Sequence, residues 1–381
     1  MIKILTVIGA RPQIIKASAL NRAITNNYSK EIKEVLLHTG QHYDETMSDV
    51  FFREMGIPQP TYNLNVGSGA HGKQTAAMIE GIENIALLEK PAAIVVYGDT
   101  NSTLAAAIAA SKLKIPLVHI EAGLRSFNKT MPEEINRIVC DHCSTLLFTP
   151  TQSGYDNLLR EGFNQDNESP FSINKPGIFH CGDVMYDNTL YFSEVAEANS
   201  GILDNLGLKD QEYLLVTIHR DSNTDVPERL NAILEAINEI SVKEKIAVVF
   251  PMHPRTSASL DKLNLSAMKS IKGNALFHII QPASFLEMLL LEKRCSMVLT
   301  DSGGVQKEAF FLHKPCIVLR PETEWVELVE CGNSMLADAN GKKIKEAFNY
   351  FRNKKTNTYP ALYGDGKAAK FICMEIVRNF S

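Results

Sequence analysis

The sequence predicts an α/β protein built from two Rossmann-type, doubly wound domains, and three observations carry that prediction. Short apolar, β-branched runs alternate with helix-period segments along the chain, as in parallel sheets covered on both faces. Polar residues fall repeatedly just after the strand-like runs, where open α/β sheets bind ligands. The alternation lapses around Glu194–Asp210 into Gly, Asn, Asp and Lys before a second strand–helix series begins. A chain of 381 residues exceeds one ordinary core. The lapse therefore reads as a linker between a domain at 1–195 and another at 205–360, with one ligand gripped in an interdomain cleft.

In the first half, Ile2–Ile8 reads as a buried strand, Gly9–Gln13 as a tight loop and Ile14–Ile24 as a helix. Glu34–Leu37 is a strand with the polar loop His38–His42 at its end. Ala92–Tyr97 ends in Gly98-Asp99-Thr100-Asn101, and the small-residue helix Ser102–Lys112 packs behind it. Leu117–Ile120 ends in Glu121-Ala122-Gly123-Leu124-Arg125. Pro132 opens a helix at Glu133, a favourable place for proline and for acidic residues. Leu146–Phe148 and Ile178–His180 close this half. The second half has strands at Tyr213–Thr217, Ala247–Pro251, Leu276–Ile280, Met297–Thr300 and Cys316–Leu319. Helices at Pro227–Ile240, Ser284–Leu291 and Gly304–Leu312 alternate with them. The C-terminal stretch Gly366–Phe380 is an amphipathic helix expected to pack back on the first domain.

Composition excludes several function classes. The hydrophobic fraction is 45% and the charged fraction 22%, values typical of a globular protein. A net charge of −5 favours neither nucleic acid nor an anionic membrane as partner. No apolar run reaches the ~18 residues that span a bilayer, and MIKILTVIGARP reads as a first strand, not a signal peptide. The seven cysteines are scattered. Cys140 and Cys143 form a CxxC inside a helical pattern with no second pair, so reduced thiols in a cytoplasmic protein are expected. No HExxH, DxD or Walker pattern appears, and neither a metal nor a cofactor is expected.

The chemistry concentrates at strand ends. Around Asp301, an apolar strand gives way to Ser302-Gly303-Gly304 and then a helix. Unpartnered N–H groups and the helix dipole make such a junction a phosphate seat, although an ordinary tight βα turn has the same pattern. Glu308, about one turn further, could accept hydrogen bonds from a ribose. Arg11 and Lys16 occupy the first βα turn, where Arg11 suits either a diphosphate or a surface ion pair. Asp99, Glu121 and Glu133 are three carboxylates near strand or helix ends. Crowded carboxylates can have separated pKa values and so supply an acid and a base; capping of helix N-termini is the alternative. His219-Arg220 and His253-Pro254-Arg255 follow successive strands; a histidine such as His219 there is a candidate catalytic general acid or a phosphate partner, and the two clusters together favour a polyanionic ligand.

Nine ordered segments extend the reading. They are GARPQIIK (Gly9–Lys16), HTGQHYD (His38–Asp44), YGDTNSTLAAA (Tyr97–Ala107), HIEAGLRS (His119–Ser126), MPEEINR (Met131–Arg137), GDVMYD (Gly182–Asp187), TIHR (Thr217–Arg220), MHPRT (Met252–Thr256) and DSGGVQKEA (Asp301–Ala309). In these the chain resembles the non-hydrolysing UDP-N-acetylglucosamine 2-epimerase family over nearly its whole length. The resemblance implies a GT-B-like fold, a homodimer, no metal and no nicotinamide. It also implies inversion at C2 of a UDP-2-acetamido sugar, through loss of the C2 proton and UDP to a 2-acetamidoglucal and re-addition of UDP, in the supply of bacterial surface polysaccharide precursors.

By motif position, the resemblance makes Asp99, Glu121 and Glu133 the acid/base candidates. His219, Arg11 and the Ser302–Gly304 N–H groups would contact the diphosphate, Glu308 the ribose, and Lys16 and Arg137 the sugar pocket. Gln41, His42 and Gln74 match a substrate-activation site of bacterial members, where Lys73 stands in place of a common arginine. Trp325, in Thr323-Glu324-Trp325-Val326-Glu327, replaces another arginine; it suits stacking on a base or sugar, or packing. Such variants resemble the branch that includes UDP-2,3-diacetamido-2,3-dideoxy-glucuronate epimerases and are compatible with UDP-N-acetylglucosamine itself. A GT-B glycosyltransferase, a hydrolysing epimerase and a UDP-sugar sensor are the competing classes.

Overall fold

A computed structural model of the chain describes residues 1–41, 56–262 and 265–381. It divides into two compact units, Met1–Asn188 with Ala361–Ser381, and Thr189–Pro360.

The first unit is built on a parallel sheet of seven strands. They are β1 (Ile2–Ile8), β2 (Ile32–His38), β3 (Tyr62–Asn63), β4 (Ala93–Tyr97), β5 (Leu117–Ile120), β6 (Leu146–Thr149) and β7 (Gly177–His180), in the spatial order β3-β2-β1-β4-β5-β6-β7. Strands β4, β5 and β6 are buried along their whole length because helices cover both faces. The helix Asn101–Leu113 presents Ala105, Ala106, Ala107, Ala109 and Ala110, all fully buried, and so lies close to its neighbours. The chain runs outward from β1 to β3 and then returns to β4. The switch in direction therefore falls between β1 and β4, the position at which open α/β sheets bind ligands.

The second unit repeats the plan with six parallel strands. They are β8 (Tyr213–Thr217), β9 (Ala247–Pro251), β10 (Phe277–Ile280), β11 (Met297–Thr300), β12 (Cys316–Val318) and β13 (Ser334–Leu336), in the order β10-β9-β8-β11-β12-β13. Its switch point lies between β8 and β11. Leu214, Val216, Val248, Phe250 and Leu299 from the strands meet Leu230, Ile233, Leu234 and Ile237 from the helix Pro227–Glu244 in one core.

Several boundaries differ from the sequence expectation. The first helix begins at Arg11, not Ile14, and carries Pro12 in its first turn, where the missing N–H costs nothing. Glu194–Asp210 is not an extended linker. It holds the end of the helix Val184–Asn199 and the short helix Ile202–Leu206, whose Ile202 and Leu203 are buried. The division between units lies inside the first of these helices.

The C-terminal helix, Ala368–Phe380, belongs to the first unit. Asp187 accepts from the Ala368 and Ala369 N–H groups at 3.1 and 2.8 Å and so supplies the cap of that helix. Phe371 packs edge-on against Phe148 and Phe179. Gly182 stands at φ +87°, and a Cβ there would meet the Tyr363 carbonyl oxygen at 2.7 Å. All seven cysteines are free. Among the described residues no helix is long and apolar enough to cross a membrane.

Candidate active site

In the first unit the register of β4 and β5 aligns Tyr97 with Ile120, so Gly98-Asp99 and Glu121 emerge side by side. Gly98 has φ +61°, and a Cβ there would lie 3.0 Å from Glu121 Oε2 and 3.3 Å from Lys16 Nζ. Glu121 itself stands at φ +75°, a left-handed conformation uncommon for a residue with a side chain. The Lys16 ammonium donates to Glu121 Oε2, with both side chains mostly buried. Burial opposes the charge on Lys16, but Glu121, Asp99 and Asp183 outweigh it and hold its pKa above the ordinary lysine value.

Asp99 receives the Arg137 guanidinium on Oδ2, and its carbonyl accepts from Asn136 Nδ2 at 2.8 Å. Arg137 is also 3.1 Å from Glu134 Oε2. Glu134, which the sequence reading passed over, is buried and accepts from the Ser126 and Phe127 N–H groups, each at 2.9 Å. Burial works against its charge, yet these donors and Arg137 keep its pKa below the usual glutamate value. Glu134 thus fixes both the Ser126–Phe127 loop and the arginine that holds Asp99. Its neighbour Glu133 is exposed and has no ion pair among the described residues. Arg11 is exposed in the first turn of the helix after β1. The structure therefore brings Lys16, Asp99, Glu121 and Arg137 into one cluster, with Glu133 exposed on the helix that carries Arg137.

The turn after β1 is packed tightly. Gln13 accepts from the Gly9 N–H and donates to the Tyr97 carbonyl and to Thr103 Oγ1. A Cβ on Gly9 would lie 2.1 Å from Ser102 Oγ and 2.2 Å from Thr39 Oγ1. Gln41 and Gln74, the regulatory candidates, are engaged beside this turn. Gln41 Oε1 accepts from the Ser102 N–H and hydroxyl at 3.0 and 2.8 Å. Gln74 Oε1 accepts from Asn101 Nδ2 at 2.9 Å, and its amide donates to the Gly67 carbonyl. Both glutamines are buried at the start of the helix Asn101–Leu113; Lys73 is exposed, and His42 lies outside the described residues.

In the second unit, β8 and β11 end level, with Thr217 beside Thr300. Asp301, fully buried, collects the loop after β8. It accepts from the His219 N–H at 3.0 Å, the Arg220 N–H at 3.1 Å and Asn223 Nδ2 at 3.1 Å, and lies 3.3 Å from His219 Nδ1. Burial pulls the His219 pKa down, aided by the nearby His253 and Arg220 and opposed by Asp301. The two imidazole rings are 5.4 Å apart. Asp301 was legible as part of the motif but not as the anchor of the histidine loop.

Ser302 is the N-cap of the helix Gly303–Phe311, its hydroxyl facing the Val305 N–H. Trp325 Nε1 donates to the Gly303 carbonyl at 2.9 Å, and the Lys307 ammonium lies 4.4 Å from the indole centroid. Trp325 is thus fastened to the Gly-Gly junction, which favours packing of the two expected roles. Burial raises the pKa of Glu308 to about 6 against the opposing effect of Lys307. Glu292, another residue missed in the sequence, is buried beside it. Desolvation and the Glu308 charge hold its pKa well above the usual carboxylate range. No sequence signal distinguishes Glu292 from a surface glutamate of the helix Phe285–Arg294.

The family model described as UDP-N-acetylglucosamine 2-epimerase matches residues 25–377. The chain is 46% identical over 370 residues to UDP-2,3-diacetamido-2,3-dideoxy-D-glucuronate 2-epimerase of Pseudomonas aeruginosa, covering 97% of this chain and 98% of that protein. It is similar to the solved structure of UDP-GlcNAc 2-epimerase from Methanocaldococcus jannaschii, with a TM-score of 0.87 and 42% identity over 99% of this chain and 100% of that one. The same archaeal enzyme in complex with UDP-GlcNAc and UDP gives a TM-score of 0.79 at 43% identity, with the same coverage.

Proposed function

The chain belongs to the UDP-N-acetylglucosamine 2-epimerase family, a family of UDP-sugar isomerases with a GT-B-like fold, and from that premise we propose that it inverts C2 of UDP-N-acetylglucosamine without net hydrolysis. The observation that carries this reading is the pairing of Asp99 with Arg137 and of Glu121 with Lys16 at neighbouring strand ends. Each carboxylate is held in place by a cation at its strand end, and a positioned carboxylate is what general acid–base chemistry uses.

In the proposed cycle the C2 proton is taken by one carboxylate of the set Asp99, Glu121 and Glu133. UDP departs from C1 and leaves a 2-acetamidoglucal. A second carboxylate returns a proton to the opposite face, and UDP re-adds at C1. No carbonyl stands beside C2, so departure of UDP must be assisted, and cationic and N–H contacts on the diphosphate serve that purpose. The Ser302–Gly304 junction, His219 and Arg11 are assigned to the diphosphate, Glu308 to the ribose, and Lys16 and Arg137 to the sugar pocket. Gln41, His42, Lys73 and Gln74 are retained as the candidate regulatory set. In that role Gln41 and Gln74 would act through the start of the helix Asn101–Leu113. A cytoplasmic homodimer that feeds surface polysaccharide synthesis follows from the same family reading.

One observation favours a second substrate: the 46% identical Pseudomonas relative is named for the 2,3-diacetamido uronate. Proton NMR of the enzyme in deuterated water with each UDP-sugar tests both. Loss of the C2 proton signal with growth of the manno isomer is expected, and the faster substrate identifies the branch. UDP release that requires an added acceptor, with no exchange at C2, would replace the epimerase reading with a glycosyltransferase.

A further inference from the structure

His119, the residue before the last of β5, is completely buried. Its Nδ1 lies 2.7 Å from Asp141 Oδ1 and its Nε2 lies 2.9 Å from the Gly98 carbonyl oxygen. A carboxylate and a carbonyl are both acceptors, so both ring nitrogens must donate, and a ring that donates twice is an imidazolium. Asp141 is equally committed: its other oxygen receives Arg125 Nη2 at 2.7 Å and the Gly123 N–H at 3.2 Å. Arg125 in turn reaches Glu161. The remaining titratable group beside the ring is the Cys140 thiol, on the same helix as Asp141.

We propose that His119 is a permanently charged positioning residue that ties the Gly98-Asp99 turn and the Glu121 strand end to the helix Pro132–Cys143. Its two hydrogen bonds join the loop carrying one acid/base candidate to the helix carrying Arg137 and Glu133, and its own strand delivers Glu121 two residues later. A neutral ring would turn a lone pair on Asp141 or on the Gly98 carbonyl, and the turn that presents Asp99 would shift. Buried Asp141, held ionised by Arg125 on its other oxygen, keeps the proton on the ring whether or not substrate is bound. The proposal rests on the assignment of Asp99 and Glu121 to proton transfer at C2.

The first test is nitrogen NMR of labelled full-length protein at pH 8. It is expected to show both His119 nitrogens bearing protons; a ring with one N–H would overturn the proposal. His119→Gln, which keeps a donor but removes the charge, should lower kcat at least tenfold. KM for the UDP-sugar and Kd for UDP should stay within twofold, because His119 touches none of the groups assigned to the diphosphate, namely Arg11, His219 and the Ser302–Gly304 junction. A kcat within twofold of wild type would overturn the proposal, as would a loss carried by KM. Should that variant not fold, Asp141→Asn decides. It frees the imidazole to lose its proton, so its turnover relative to wild type should rise at least fivefold as pH falls from 8 to 6; a constant ratio refutes the charge. Full turnover by Asp99→Asn would remove the acid/base assignment separately, since the NMR measurement does not depend on it.

Discussion

Replacing Asp301 by asparagine tests how the loop bearing His219 is held. The buried carboxylate serves the His219 N–H, the Arg220 N–H, the Asn223 amide and His219 Nδ1. An asparagine has one acceptor oxygen, so its amide N–H must face a donor in either orientation. With the NH2 at the Oδ1 position, the His219 N–H keeps only the longer 3.2 Å contact, while Nδ1 of the neutral ring can accept from the amide. With the NH2 at the Oδ2 position, the Arg220 N–H is stranded instead. A stranded buried donor costs about 1–3 kcal/mol, and each surviving bond falls from a charge-assisted to a neutral one, a loss of about 1 kcal/mol. The first orientation strands no donor and weakens three bonds, so the expected total is about 3 kcal/mol. Trp325, the chain's single tryptophan, is bonded to Gly303 and reports unfolding of this unit in urea by fluorescence. The variant should also titrate His219 lower than wild type, because Asp301 is the group that raises it. The sign follows: a histidine held below its unfolded value favours the neutral fold, so this contribution is complete above about pH 6.5 and is lost as pH falls. Stability within about 0.5 kcal/mol of wild type, the scatter of ordinary surface substitutions, together with an unmoved His219 titration, would refute the anchoring role.

Other outcomes follow from the same geometry. Glu121→Gln should abolish deuterium incorporation at C2 while calorimetry finds UDP affinity within threefold of wild type; normal exchange would remove Glu121 from the chemistry. Because Glu308 titrates at about 6 and its ionised form is the better acceptor, UDP affinity should fall as pH drops through that value. Glu308→Gln should flatten that dependence, and an unchanged slope would remove Glu308 as the ribose acceptor. Gly9→Ala drives a methyl into Ser102 and Thr39, and overpacking of this kind costs about 1–3 kcal/mol; urea denaturation of the first unit should register it, and an unchanged midpoint would show that the two hydroxyls yield freely.

The strands at the centres of both sheets were readable because burial on two faces leaves continuous apolar runs, such as Ala93–Tyr97 and Met297–Thr300. The sheet edges were not: β3 is two residues of mixed polarity and β13 is Ser-Met-Leu. The helix through Glu194 was obscured by its Asn and Glu content, although its buried side is apolar, with Phe192 and Ala196. The strand-end placement of Asp99, Glu121, His219 and Ser302 was legible because it is a linear property. The anchoring roles of Glu134, Asp141 and Asp301 were not legible, since what marks them is the donors that reach them from residues 8, 16 and 82 positions away in the chain. Glu133 and Glu134 are indistinguishable by type. Only the helical phase separates the exposed carboxylate from the buried one.

The cap that Asp187 provides for Ala368 and Ala369 has a consequence for how the protein is made. The second unit is one uninterrupted stretch, Thr189–Pro360, while the first waits for Ala361–Ser381. On the ribosome, the unit encoded later is therefore the first whose chain is complete. Until the final helix emerges, Asp187 is a carboxylate without those two N–H groups, and Phe148 and Phe179 lack the Phe371 ring. In that interval the two rings present aromatic surface that the finished fold covers with Phe371.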